Sequence, residues 1–193
     1  MNLIFASNNP HKLREVRDIF GNTCHIFSLN DVDIHEDIKE SATSLEGNAA
    51  IKADYVYHHL KKPCFADDTG LEVYALNKAP GVHSARYAGN DQNSQENLKK
   101  LMHEMKAVNN RKARFRTVVC LIIKDNHYFF EGIAEGSIAP AACGTAGFGY
   151  DPVFIPDGYN KTFAEMGDEE KNLISHRAKA IRKLARFIKD GNF

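Results

Sequence analysis

Asp67 and Asp68 stand side by side after a short apolar run, Cys64-Phe65-Ala66, and before Thr69-Gly70. Adjacent carboxylates on an extended strand point to opposite faces. With the strand ending at this point, one carboxylate can reach out to a metal ion while its neighbour turns back into the fold. Strand-to-loop exits are where α/β proteins tend to place ligands. A solvated turn is the competing reading. Glu40 supplies a further carboxylate and Lys52 a cation that can face the same cleft as Lys12. Taken singly, each also fits a solvated surface charge.

Three other segments carry chemistry. Ser7-Asn8-Asn9-Pro10-His11-Lys12 follows an apolar strand pattern and opens a helix. Backbone N–H groups at a helix start attract anions, phosphate in particular, and Lys12 adds a full charge. The spacing is not that of a Walker loop. An ordinary helix start, with Asn9 as cap and Pro10 in first position, is the alternative. Next, glycines flank Phe148 in Gly147-Phe148-Gly149-Tyr150-Asp151. They strip away neighbouring side chains, so the ring can present a face to a flat ligand, and stacking on a base is worth about 1–3 kcal/mol. Asp151 can accept a hydrogen bond from a ring N–H; a tight turn with its aromatics in the core is the other reading. Last, Lys171 precedes Ser175-His176-Arg177. Ser175 is a good helix cap, but His176 and Arg177 run against the macrodipole of the helix they open. That conflict points to a role outside helix stability, unless Asp168, Glu169 and Glu170 offset it.

Other residues are less telling. His58-His59 lacks a partner at helical spacing, and the nine histidines show no zinc pattern. Arg114 and Arg116 alternate on a strand and decorate one solvent face. The four cysteines form no Cys-x-x-Cys and read as reduced thiols of a cytoplasmic protein.

The elements that must position these groups are legible from periodicity. A strand is expected over 3–6, a helix from Pro10 with Leu13, Val16, Ile19 and Phe20 inward, and a strand near 24–28. A strong helix spans 43–61, striped by Leu45, Ala49, Ala53, Val56 and Leu60. The next strand covers 64–67, and a helix covers 93–105. Two long strands, 114–124 and 127–138, meet at an Asp125-Asn126 turn. An amphipathic helix covers 175–189. This order predicts an α/β fold with a mixed sheet, a second lobe around the hairpin, and one domain over residues 1–193. A net charge of zero argues against a nucleic-acid binder. The longest apolar run, 118–123, is too short to span a membrane, and the N-terminus lacks the features of a signal peptide.

In this order the segments resemble the inosine triphosphate pyrophosphatase family. The resemblance runs over nearly the whole chain. Its markers are Ser7-x-Asn9-x-x-Lys12, Glu40, Asn48-Ala49 with Lys52-Ala53, and Phe65-Ala66-Asp67-Asp68-Thr69-Gly70-Leu71. They continue with Ala79-Pro80-Gly81, Ser84-Ala85-Arg86-Tyr87, Gly147-Phe148-Gly149-Tyr150-Asp151-Pro152, and Lys171 with Ser175-His176-Arg177. The resemblance implies Mg²⁺-dependent cleavage of ITP, dITP and XTP to the monophosphate and pyrophosphate. It implies an elongated α/β fold with flanking helices and an active site in the cleft between two lobes, and usually a homodimer. Read onto this chain, Asp68 is the expected base, and Glu40 and Asp68 the Mg²⁺ ligands. Ser7, Asn8, Asn9, Pro10, His11, Lys12, Lys52 and Thr69 are expected along the phosphates. Phe148, Gly149, Tyr150, Asp151, Lys171, His176 and Arg177 are expected around the base, and Asp67 either braces the loop or makes a contact outside the metal's own ligands. Two positions depart from the family pattern: Gly47 stands where many members carry Glu, and Ala146 where many carry Gly. A related enzyme acting on modified pyrimidines, and a module that binds nucleotides without hydrolysing them, are the rival readings.

Overall fold

The computed structural model describes residues 1–89, 91–191 and 193. The strands are β1 (Asn2–Phe5), β2 (His25–Phe27), β3 (Cys64–Val73), β4 (Pro80–Gly81), β5 (Lys112–Ile123), β6 (Asn126–Ile138) and β7 (Phe154–Pro156). The helices are α1 (Pro10–Phe20), α2 (Leu45–Leu60), α3 (Ser94–Glu104), α4 (Asp168–Ile174) and α5 (His176–Lys189). The strands form one sheet in the order β2-β1-β3-β5-β6-β7, with β4 also paired to β3. β1 is parallel to β2 and β3, whereas β4 is antiparallel to β3 and β7 to β6. The expected mixed α/β fold is therefore present. By compactness the chain divides into two units, the first comprising Met1–Asp68, Thr117–Gly132 and Arg177–Phe193, the second Thr69–Arg116 and Ile133–His176. The division falls inside β3, β5 and β6.

In the first unit both faces of the sheet are covered, as expected where strands run parallel. Leu3, Phe5, Phe65, Val119, Leu121 and Ile123 pack with the apolar stripes of α1 and α5. The residues between them, Ile4, Ala6, Cys64, Ala66, Cys120 and Ile122, pack with Ala49, Ala53 and Val56 of α2. Period-two alternation thus sends each strand's side chains to two separate cores. Burial pushes the Cys64 and Cys120 thiols up to about 12, so neither is a ready nucleophile.

The second unit has a single core, built from Leu71, Val73, Ala113, Phe115, Ala134, Ile138, Phe154 and Phe163 with Leu101 and Met105. Residues between these positions face away from it and are polar. Arg114 donates to Glu72 at 2.7 Å and the Tyr74 hydroxyl to Glu135 at 2.8 Å. Arg114 is therefore ion-paired on this face, not left to solvent as its alternation suggested.

Two further expectations need correction. β3 does not stop at Asp67: it runs on to Val73, paired with β5 in the sheet and, at Leu71 and Glu72, with Gly81 and Pro80 of β4. Thr69-Gly70 is mid-strand and not a turn. The β5–β6 turn is Lys124-Asp125, one residue earlier than expected, with φ of 49° and 62°. Two successive left-handed residues match the twist of a two-residue hairpin. Among the described residues no helix is long and apolar enough to cross a membrane.

Candidate active site

Strand alternation separates the two central carboxylates. Asp67 shares the face of Phe65 and so looks toward α1 and α5; Asp68 shares the face of Ala66 and looks toward α2. Both are buried, at 1% and 8% exposure, because β3 continues past them.

Asp67 is a brace between helices. It accepts from Lys12 Nζ of α1 at 2.8 Å and from Arg177 Nε of α5 at 3.0 Å. Arg177 Nη1 also donates to Glu15. Burial opposes the Asp67 charge, but Lys12, Arg177 and Lys52 outweigh it and hold this carboxyl well below the usual range. Burial lowers the Lys12 pKa; Asp67 opposes the shift, while Arg177 and Lys52 add to it. One fully ionised carboxylate is thus shared among several cations.

Asp68 has different company. Asn48 Nδ2 donates to its Oδ2 at 3.1 Å, and Lys52 Nζ lies 3.8 Å from its Oδ1. The same ammonium donates to Glu40 Oε1 at 2.7 Å. Burial raises the Asp68 pKa and Glu40 adds to the rise, against Lys52, Lys12 and Asn48. A carboxylate displaced upward is better suited to accept a proton than its neighbour. Burial works against the Lys52 ammonium, but Asp68, Glu40 and Asp67 together hold its pKa above the ordinary value.

Among the described residues no group of three or more His, Cys, Asp and Glu is placed to hold a metal alone. Glu40 and Asp68 are, however, brought within reach of one cation, the Lys52 ammonium. Two carboxylates with no softer donor fit Mg²⁺, which commonly takes one or two carboxylates and fills its remaining positions with water and phosphate oxygens.

The helix start at residues 7–12 takes the form of a cap. Asn9 Oδ1 accepts from the N–H groups of His11 and Lys12 at 3.0 and 3.2 Å. Ser7 Oγ accepts from Asn9 N, and Asn8 Oδ1 from Asn30 N. Pro10 sits in the first turn and His11 is exposed. An anion at this point meets the positive end of α1 with two of its N–H groups already engaged.

The remaining expected residues lie in the second unit. Phe148 N donates to Asp151 Oδ2 at 2.8 Å, and Lys171 Nζ donates to the same oxygen at 2.7 Å. The Lys171 ammonium is 5.5 Å from the Phe148 ring centroid, within cation–π range. Phe148 and Gly149 are partly exposed. Tyr150 is not: it sits in the core, and its hydroxyl donates to the Ser84 carbonyl at 2.9 Å. Thr69 occupies β3 where that strand enters this unit. His176 is buried and stacks on Phe115 at 4.5 Å between ring centroids.

Gly147 holds this loop. Its φ is +74°, and a Cβ would fall 2.0 Å from Asp151 Oδ2. Gly147→Ala is expected to lose about 1–3 kcal/mol from backbone strain alone, measured as a lowered denaturation midpoint. Gly147→Asn relieves the φ penalty but not the clash, so it is expected to recover little.

His176 and Arg177 were expected around the base. The structure puts His176 among the aromatic rings of the second unit and spends Arg177 Nε and Nη1 on Asp67 and Glu15 of the first. The clash of Arg177 with the α5 macrodipole is thereby answered by two carboxylates distant in sequence. Glu15 and Asn48 were missed as site residues. Each had a signal: Glu15 follows Lys12 by one turn, and Asn48 precedes Lys52 by four residues on one helical face. Asn48 is fully buried within an apolar stripe, where a polar residue requires partners.

The chain matches the Ham1 family model over residues 3–187. It is 54% identical over 187 residues to the dITP/XTP pyrophosphatase of Porphyromonas gingivalis, covering 96% of each chain. It is 48% identical to that of Christiangramia forsetii, covering 97% of this chain and 99% of the other. The structure is similar to that of the Staphylococcus aureus Ham1 protein, with a TM-score of 0.90 and 35% identity over 99% of this chain and 100% of that one.

Proposed function

This chain belongs to the Ham1 family, and on that premise we propose that it is a nucleoside triphosphate pyrophosphatase acting on the non-standard purine nucleotides dITP, XTP and ITP. The products are the monophosphate and pyrophosphate, and the reaction requires Mg²⁺. The names of the relatives support the first two substrates; ITP and Mg²⁺ rest on the family resemblance. The observation that carries the reading is the division of labour on β3. Asp67 stays ionised among Lys12 and Arg177, while Asp68, with a raised pKa, sits beside Glu40 across a shared lysine.

In this reading Glu40 and Asp68 would hold Mg²⁺, which would supply Lewis-acid stabilisation of the charge developing at the α-phosphate. Asp68 orients the attacking water and accepts its proton. The water oxygen bonds to the α-phosphorus, the bond from that phosphorus to the bridging oxygen breaks, and pyrophosphate departs with the electron pair. Lys12 and Lys52 face the phosphate charge, aided by the positive end of α1. Asp67 keeps Lys12 and Arg177 in place.

The base we assign to the Phe148–Asp151 loop with Lys171, His176 and Arg177. Lys and Arg only donate hydrogen bonds. Hypoxanthine and xanthine present a C6 carbonyl to such donors; adenine presents an amino group. A site built around a hydrogen bond rejects an analogue that cannot make it by up to about 10⁴–10⁵. Two of the Arg177 donors, Nε and Nη1, are already engaged by Asp67 and Glu15. Cytoplasmic action as a homodimer completes the proposal, on the family resemblance.

The test is turnover of ITP, XTP, dITP, GTP, ATP and dTTP with Mg²⁺, assaying pyrophosphate and orthophosphate separately. Pyrophosphate from ITP, XTP and dITP, with little from ATP, is the expected result. Orthophosphate as the main product, or binding without turnover, overturns the reading.

A further inference from the structure

Gly47 lies in the first turn of α2 with no left-handed φ to explain it. Alanine is the better helix former there, so the glycine serves something else. A Cβ on Gly47 would fall 2.5 Å from Ala42 Cβ. The next nearest groups are Ser44 Oγ at 3.2 Å and Ala42 Cα at 3.9 Å. The Ala42 methyl is therefore the main obstacle.

That contact adjoins a chain of hydrogen bonds. Ala42 N donates to Asn48 Oδ1 at 3.0 Å, and Asn48 Nδ2 donates to Asp68 Oδ2 at 3.1 Å. Two residues before Ala42, Glu40 accepts from Lys52 at 2.7 Å. The segment carrying Glu40 is thus seated on α2 at Ala42, and the same seat orients Asn48.

We infer that Ala42 and Gly47 are a complementary pair of positioning residues that seats the Glu40 segment on α2 and, through Asn48, aims Asp68. The inference rests on the proposed reaction for its kinetic consequence, but its geometry does not depend on that reading. It also accounts for the departure from Glu at position 47: a side chain there cannot be received while Ala42 keeps its methyl. Removing that methyl makes room for one at 47.

The experiment compares wild type, Gly47→Ala and Ala42→Gly/Gly47→Ala. Turnover of dITP, thermal midpoint and the Asn48 side-chain amide resonance are followed in each. In Gly47→Ala, kcat is expected to fall about 10²-fold, the scale of a 1 Å misplacement. KM is expected to move less than about threefold, as when an interaction specific to the transition state is lost. The Asn48 resonance shifts in the metal-free protein, and the double variant restores both kcat and the resonance. Wild-type kcat with an unmoved amide in Gly47→Ala overturns the inference. So does a double variant that regains the thermal midpoint without kcat or the amide position. A wild type that releases no pyrophosphate defeats the proposed reaction, and the amide resonance, which needs no turnover, still decides this point.

Discussion

Asp68→Asn is expected to reduce pyrophosphate release by about 10²–10⁴-fold, the range associated with loss of a general base. The amide keeps the shape of the side chain but cannot accept the proton of the attacking water. With its oxygen turned to Asn48 Nδ2, which donates to Oδ2 at 3.1 Å, the amide keeps that hydrogen bond; its NH2 then faces Lys52 Nζ, 3.8 Å from Oδ1, which still donates to Glu40. The fold and the affinity for nucleotide measured in chelator are therefore expected to survive. Equilibrium binding of dITP alongside single-turnover chemistry separates the two effects. Turnover within a few-fold of wild type would reassign the base. Collapse of binding and turnover together would reassign Asp68 to substrate affinity.

The second large effect concerns stability. Asp67→Asn leaves Lys12 and Arg177 facing each other without the buried carboxylate that joins them. Removing one partner of a buried pair costs about 3–5 kcal/mol, because a charge is left uncompensated. Glu15 still accepts from Arg177 and offsets part of that cost. The loss has a defined pH dependence. The Asp67 pKa is depressed in the folded state, so its stabilisation is fully present above the unfolded value of about 3.9. It fades as pH falls from there through the folded value. The wild type should therefore exceed Asp67→Asn by the full margin at neutral pH and converge on it in acid. Denaturant titrations in chelator from pH 7 down to acid test this. A margin independent of pH would show that Asp67 acts by shape and not by charge.

Much of this site follows from alternation that is visible in the chain itself. Leu3 to Ala6 and residues 118–123 are apolar at every position, the pattern of strands covered on both sides, and they are. Asp67 and Asp68 inherit that alternation, so their opposite orientations were legible from adjacency alone. Their burial was not. Thr69-Gly70 has the composition of a turn, and the strand goes on because it is paired with β5 and, at Leu71 and Glu72, with β4. The partners of Arg177 were also hidden. Glu15 is 162 residues away along the chain, and no local pattern joins the two. Phe148 was found through its flanking glycines, whereas the packing of Tyr150 and His176 against second-unit groups depends on tertiary contacts.

The partition of the chain has a consequence for its birth on the ribosome. The first unit is assembled from three separated stretches, and the last of them is α5. Until that helix has been synthesised, the core around Phe5 and Phe65 lacks Ala180, Ile181, Leu184 and Ile188. Asp67 likewise waits for Arg177. The nascent polypeptide thus carries Asp67 for 110 codons before Arg177 is translated.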